Sequence, residues 1–274
     1  MTVEVGKFGV WLPNQTWSPD LAQEVEKLGF GTIWVGSSPG GDLAGVEALL
    51  RATAHAAVAT GIVNIWKDDA ATVAASYHRT AERYPGRFLL GLGIGHPEAT
   101  DEYRRPYDKI VSYLDELDVA GVPVEARVLA ALGPKVLKLS GERAAGAHPY
   151  LTTPEHTRAA REILGPGKLL APEQKFILGT DQAEARATAR PTVEFYLGLT
   201  NYRHYLLRTG WTDAELADGA SDRLVDALVL HGDARAVAAG ARAHLDAGAD
   251  HVCVQPIGAE PLSALRGLAE FLLP

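Results

Sequence analysis

Short apolar runs alternate with segments of helical period along the whole chain, at intervals of about 25 to 35 residues. Residues 7–12, "KFGVWL", read as a strand. The helix "SPDLAQEVEKLG" (18–29) follows, with Ser18 as N-cap, Pro19 in the first helical position and Gly29 as its stop. The pattern repeats as strand 31–36 with helix 42–57, strand 61–66 with helix 69–84, and strand 87–93 with helix 103–121. It continues as strand 126–132 with helix 134–146, then strand 147–151 with helix 154–165. A seventh strand, 173–179, leads into a long and mostly helical stretch from 181 to about 230. Helix 233–248, strand 250–256 and helix 261–273 close the chain.

The strands are continuous apolar runs, the signature of a parallel sheet buried on both faces. Eight strand–helix units in one chain of 274 residues predict an α/β fold of the (β/α)8 TIM-barrel type, with a helical insertion (about 181–230) after strand seven. No linker or composition shift divides the chain, so residues 1–274 are expected to form one domain. In such a barrel the active site lies at the C-terminal strand ends. Candidates are therefore Asn14 and Gln15, Ser37 to Asp42, Asn64 to Asp68, Gly93 to Glu98, Gly133, His148 to Thr153, Gly179 to Gln182, and Gln255 to Gly258.

Composition narrows the partners. With 26 Lys+Arg against 34 Asp+Glu, the formal charge of −8 argues against nucleic acid or an anionic membrane surface. A small-molecule substrate fits, and a phosphate remains acceptable where backbone N–H groups bind it. The single cysteine, Cys253, excludes an internal disulfide, and the N-terminal residues show no signal-peptide pattern. No run is long enough to cross a bilayer as a helix, and the expectation is a soluble cytoplasmic protein. The alanine-rich segment 42–59 packs either on its own barrel or against a second copy, so a homodimer is one expectation.

The densest local signal is "RFLLGLGIGHPEA" (87–99), with Gly91, Gly93 and Gly95 at alternate positions ahead of His96. It is not a dinucleotide fingerprint: the spacing is G-x-G-x-G-H, it lies on the fourth strand, and the next helix starts some ten residues later. A Walker loop is excluded because no G-K-[ST] follows. Either the glycines relieve crowding in the barrel mouth, or they let a flat ligand approach bare backbone. Asn64, between Val63 and Ile65, faces a ligand or caps its loop. "WVGSSPGGD" reads as a turn-rich loop, and "TTPEHT" as a capped helix start whose N–H groups, with Thr152 and Thr153, suit a phosphate or simply cap the helix. The histidines lack barrel-hydrolase metal spacing, so no metal site is expected, and no G-x-S-x-G elbow is present. In the insertion, Tyr202, Arg203, His204, Tyr205 and Trp211 either lid the mouth or cover the barrel.

Together "GFGTIWVG", "ATGIVNIW", "YPGRFLLGLGIGH", "ERAAGAHPYL" and "GDARAVAAGARAHLDAGADHVCVQ" resemble the bacterial luciferase-like superfamily, and within it the actinobacterial branch of coenzyme F420-dependent oxidoreductases. The resemblance spans about residues 7 to 258. It implies a deazaflavin (F420) whose ring lies in the barrel mouth, and hydride transfer to or from a small organic substrate. Flavin mononucleotide (FMN) monooxygenases share nearly the same ring site, and a non-catalytic cofactor-binding paralogue is the third reading.

By the same resemblance, the family's non-prolyl cis peptide falls near Gly61–Ile62 or the next bond and backs the ring. Cofactor contacts are then expected from Gly61, Ile62, Val63 and Asn64, from Gly93, Ile94, Gly95 and His96, and from Ala147, His148, Tyr150, Thr152 and Thr153. The last group is expected beside the ribityl-phosphate. Ser38 and His96 stand at the catalytic positions, with His96 as proton donor. The family's sugar-phosphate dehydrogenases carry a histidine and an acid at these two places, and a basic phosphate contact near Thr153–Pro154. Those departures argue against the sugar-phosphate reaction.

Overall fold

The computed structural model describes residues 3–96, 105–258 and 260–273. Five strands run in order around the first part of the ring: β1 (Phe8–Pro13), β2 (Thr32–Gly36), β3 (Ala57–Gly61) with its short continuation β4 (Val63–Asn64), β5 (Phe88–Gly93) and β6 (Arg127–Leu129). All pair in parallel, as do β7 (Gly146–Ala147) and β8 (Leu169–Leu170).

The ring closes through one continuous run. After β8 the ladder to β7 goes on as Ala171 N–H to Ala147 O and Glu173 N–H to Pro149 O. The same run becomes β9 (Glu173–Leu178), whose other edge pairs with β11 (Val252–Pro256), and β11 pairs with β1. With β3–β4 and β8–β9 each counted once, eight staves complete the (β/α)8 barrel.

Side chains alternate between two cores, as period-2 geometry requires. Trp11, Trp34, Ala59, Leu89, Val128, Ala171 and Cys253 fill the lumen. Their neighbours Val10, Leu12, Ile33, Val35, Val58, Leu90 and Leu92 point outward against the helices. The helices begin where the sequence places their caps: Ser18 accepts from Leu21 N–H with Pro19 next, and Asp69 accepts from Thr72 N–H.

Several expected boundaries shift. The helix expected over 42–57 ends as α2 (Ala44–Ala52), and the third strand starts at Ala57 rather than at residue 61. Alanine-rich "AHAAVATG" carries a helical composition, but the Glu26 carboxylate takes the N–H groups of Ala54, His55 and Ala56, and residues 57–61 pair with the neighbouring strand. The sixth strand is only Gly146–Ala147 rather than 147–151. The insertion holds α7 (Gln182–Leu197), α8 (Thr200–Arg208), α9 (Asp213–Leu216) and α10 (Asp222–Leu228), but it ends on a strand, β10 (Val229–Gly232), parallel to β9. The insertion has its own apolar core, built on Val193, Tyr202, Tyr205, Leu206, Leu224 and Val225. Among the described residues no helix is long and apolar enough to cross a membrane.

Candidate functional site

The alternate glycines of β5 face the adjacent β3–β4 bend, residue against residue. A Cβ on Gly91 would run into the Thr60 carbonyl oxygen; one on Gly93 would lie 2.7 Å from Ile62 Cγ1, and one on Gly95 2.8 Å from Asn64 Nδ2. Thr60 Oγ1 donates to Gly91 O and accepts from Gly91 N–H, both at 2.8 Å. Gly91–Gly95 is therefore a socket for residues 60–64, and the peptide bond within that bend, Gly61–Ile62, is cis. Of the two readings of these glycines, relief of crowding is what Gly91 and Gly93 show: their missing side chains make room for protein. Gly91→Ala is expected to cost about 1 to 3 kcal/mol as an overpacked backbone contact. A thermal melt checks it, and an unchanged midpoint would show that the two strands can part freely.

Above this bend opens a cavity of about 330 Å³, in the size range of small-molecule sites (about 300 to 1,000 Å³). Its lining draws on several strand ends at once: Trp11 from β1, Ser37 and Ser38 after β2, Gly61, Ile62 and Asn64 from the bend, and Ile94 to His96 after β5. Ala130 to Gly133, His148 and Tyr150 follow β6 and β7, and the insertion contributes Tyr196, Asn201 and Tyr202. Lys67 is the one Lys, Arg, Asp or Glu of the lining among the described residues. Ser37 and Ser38 both hold left-handed backbone, φ 57° and 52°, so this loop is fixed by its surroundings rather than by preference.

The expected site residues divide cleanly. Ser38, Gly61, Ile62, Asn64, Ile94, Gly95, His96, His148 and Tyr150 come together on the cavity. Val63 is fully buried in the core between sheet and helices, and Ala147 packs with Leu137, Ala160 and Leu164. Gly93 faces Ile62. Thr152 and Thr153 lie off the cavity and are buried. Thr153 caps α6 (Pro154–Leu164) by accepting from His156 N–H. Of the two roles open to Thr153, phosphate contact or helix cap, the structure shows the cap. Pro97 and Glu98 lie outside the described residues.

Asn64 is both loop cap and lining residue. Its Oδ1 accepts from Trp66 N–H at 3.0 Å, and it also lines the cavity. His96 Nδ1 lies 3.2 Å from Asn201 Oδ1, an oxygen that can only accept, so Nδ1 carries the hydrogen. The insertion thus both covers the barrel and walls its mouth. Rings form a continuous contact along that wall: Trp11 with Tyr150 (4.9 Å between centroids), Tyr150 with Tyr196 (5.4 Å), Tyr196 with Tyr202 (4.9 Å) and Tyr202 with His96 (5.6 Å). Burial holds these phenols protonated, with Tyr196 raised to about 12 and Tyr150 and Tyr202 raised as well.

Behind Tyr150 lies a buried charged network that the apolar reading of strand seven passes over. Lys175 Nζ donates to Glu173 Oε1 (3.0 Å) and to Gln255 Oε1 (3.1 Å), and sits 3.8 Å from the Tyr150 ring centroid. Tyr150 donates to the same Gln255 oxygen (2.8 Å), and Leu151 N–H donates to Glu173 Oε2 (3.0 Å). Neither charged side chain reaches solvent. The legible signal is the spacing in "PEQKF": Glu173 and Lys175 at i and i+2 share the lumen side of β9, while Gln174 and Phe176 point away.

His148 is 2 % exposed, and burial pushes its ring down to about 4, so it is neutral. Its Nδ1 lies 2.7 Å from Ala171 O and must donate there, which leaves Nε2 as an acceptor. The ring stacks on Trp34 at 4.2 Å.

The chain is similar to known proteins in fold and, over part of its length, in sequence. The family model described as luciferase-like monooxygenase matches residues 17–119. None of the curated proteins matches the sequence. Among solved structures, an F420-dependent secondary alcohol dehydrogenase in complex with an F420–acetone adduct superposes with a TM-score of 0.76 at 16% identity, covering 98% of both chains. The coenzyme F420-dependent tetrahydromethanopterin reductase from Methanopyrus kandleri gives 0.75 at 18% identity over 99% of both chains. The oxygenating constituent of 3,6-diketocamphane monooxygenase from Pseudomonas putida, in complex with FMN, gives 0.69 at 12% identity over 96% of both chains.

Proposed function

We infer the function from one premise: the chain is luciferase-like, in sequence over residues 17–119 and in fold along its whole length. It is an oxidoreductase of the luciferase-like type. Our reading is that it uses the deazaflavin coenzyme F420 to transfer a hydride to or from a small organic substrate. The observation that carries a ring-binding site is the cavity itself: an aromatic-walled pocket over a glycine position at Gly61, with two buried, unpartnered ring nitrogens facing it. The F420 form rests on the quoted motifs and on likeness in fold to the two F420-dependent enzymes.

The residues present fit such a group. Gly61 and Ile62 would back the ring, Ile94 and Gly95 would lie along it, and the exposed Lys67 would meet the anionic tail. When bound, the deazaflavin supplies hydride chemistry at its C5 carbon. The protein's part is to hold one ring face against the substrate, to exclude water with Tyr150, Tyr196 and Tyr202, and to move a proton. Our reading gives that proton to His96, which is supported by its half-buried position on the cavity and its Nδ1 contact to Asn201. Ser38, also on the cavity, would supply a hydroxyl for orienting the substrate.

Titration of the purified protein with oxidised F420 and with FMN, followed by fluorescence quenching, tests the reading. Saturable binding of F420 with much weaker binding of FMN is expected. Binding of FMN alone would move the chain to the flavin monooxygenases, and binding of neither would overturn cofactor use altogether.

A further inference from the structure

Two nitrogens facing the cavity have no hydrogen-bond partner among the described residues although both are shut away from solvent: Trp11 Nε1 and His148 Nε2. Trp11 is 5 % exposed and His148 2 %. Buried polar atoms are nearly always paired, so an orphaned pair on one cavity marks a place for a ligand's polar groups. The two converge on one spot: a Cβ on Gly61 would lie 2.7 Å from Trp11 Nε1 and 3.2 Å from His148 Nε2. Because position 61 is glycine, no side chain stands between the two nitrogens.

Their chemistry is opposite. Indole Nε1 can only donate. His148 Nε2 can only accept, because its other nitrogen is committed to the Ala171 carbonyl. Both rings are held from behind, His148 by the Trp34 stack and Trp11 by Tyr150. A donor and an acceptor fixed side by side on rigid rings match a flat ligand edge that carries C=O next to N–H.

We propose that Trp11 and His148 together read the imide edge of a pyrimidinedione ring, Trp11 donating to a ring carbonyl oxygen and His148 accepting from the adjacent ring N–H. The proposal rests on the cofactor reading above, and it applies to deazaflavin and flavin alike because both carry this edge. It moves His148 from the ribityl-phosphate side, where the resemblance places it, to the opposite end of the cofactor. The ring then enters edge first, with its pyrimidine end at the buried rings of Trp11 and His148.

The test is equilibrium binding of the 8-hydroxy-5-deazariboflavin chromophore and its N3-methyl derivative, and of lumiflavin and 3-methyllumiflavin, to the intact protein. Methylation removes the N–H without changing the ring system. Wild type is expected to bind the methylated compound about tenfold more weakly, the worth of one buried hydrogen bond. In His148→Ala that penalty should shrink below about twofold, and Trp11→Phe should weaken the unmethylated chromophore about tenfold. Equal binding of methylated and unmethylated chromophore by wild type overturns the inference and leaves the cofactor reading standing. Failure to bind either chromophore overturns both. Should His148→Ala not fold, the wild-type comparison together with Trp11→Phe still decides.

Discussion

Lowering the pH from 7 to 5 is expected to remove about 2 kcal/mol of stability for each of three buried histidines, on the order of half of a typical domain's net stability in total. Burial is the first cause in each, and it pushes His148, His244 and His251 down to about 4. In the unfolded chain a histidine titrates near 6.5. Between those values the unfolded state binds more protons than the folded one. Stability is therefore full above about 6.5 and falls as the pH drops toward 4.

The hydrogen bonds agree with neutral rings. His251 Nδ1 donates to Gly6 O (2.9 Å) while its Nε2 accepts from Trp34 Nε1 (3.0 Å). His244 Nε2 donates to Gln174 Oε1 (2.8 Å), and its Nδ1 accepts the Thr157 hydroxyl (2.7 Å). A second proton on His251 would meet the Trp34 N–H, which can only donate, and one on His244 would force the Thr157 hydroxyl to turn from donor to acceptor. Carboxylates whose values are lowered act below this window, so the effect is separable from ordinary acid unfolding. Urea midpoints at pH 7, 6 and 5 measure it. A midpoint that does not fall would refute the neutral-ring account, and His244→Gln should flatten the slope by about one proton.

The barrel was legible because its signals are local and redundant. Ser18, Pro19 and Gly29 bound a helix whatever lies around them, and doubly buried strands must be apolar runs. Alanine-rich residues 53–60 misled because alanine favours a helix, while the ladders of β2 and β5 decide otherwise. The strand Val229–Gly232 is too short to show a period, and only its partner Glu173–Leu178 defines it.

The site was legible as a set of strand ends but not as contacts. The glycines of β5 announced a close approach, yet nothing in their own segment says whether a ligand or Thr60, Ile62 and Asn64 makes it. Trp11 was invisible for another reason. An aromatic residue inside "FGVWLP" is an ordinary core residue until Gly61, brought beside it by strand three, leaves its Nε1 without a partner. Tyr196 and Asn201 belong to an insertion whose docking no local pattern encodes.

The Glu173–Lys175 pair yields the largest single-site effect. Lys175→Met is expected to destabilise the protein by about 3 to 5 kcal/mol, because it strands a carboxyl with no solvent and only the Leu151 N–H for support. Burial raises the Glu173 carboxyl, and the Lys175 ammonium opposes that rise. Without the lysine the carboxyl takes up a proton instead of remaining charged. The penalty should therefore be smaller at pH 5 than at pH 8, whereas a simple lost packing contact would cost the same at both. Lys175 also holds the Tyr150 ring from behind and shares Gln255 with its hydroxyl, so the variant should loosen the cavity wall. The double variant Glu173→Gln with Lys175→Met keeps an acceptor for Leu151 and removes the buried charge. It should recover most of the loss, since a buried ion pair contributes little net stability compared with apolar packing of similar volume. Chemical denaturation of the three proteins at both pH values distinguishes the accounts. A single variant as stable as wild type, or a double variant no better than the single, would show that the pair is not the charged, desolvated unit that its geometry describes.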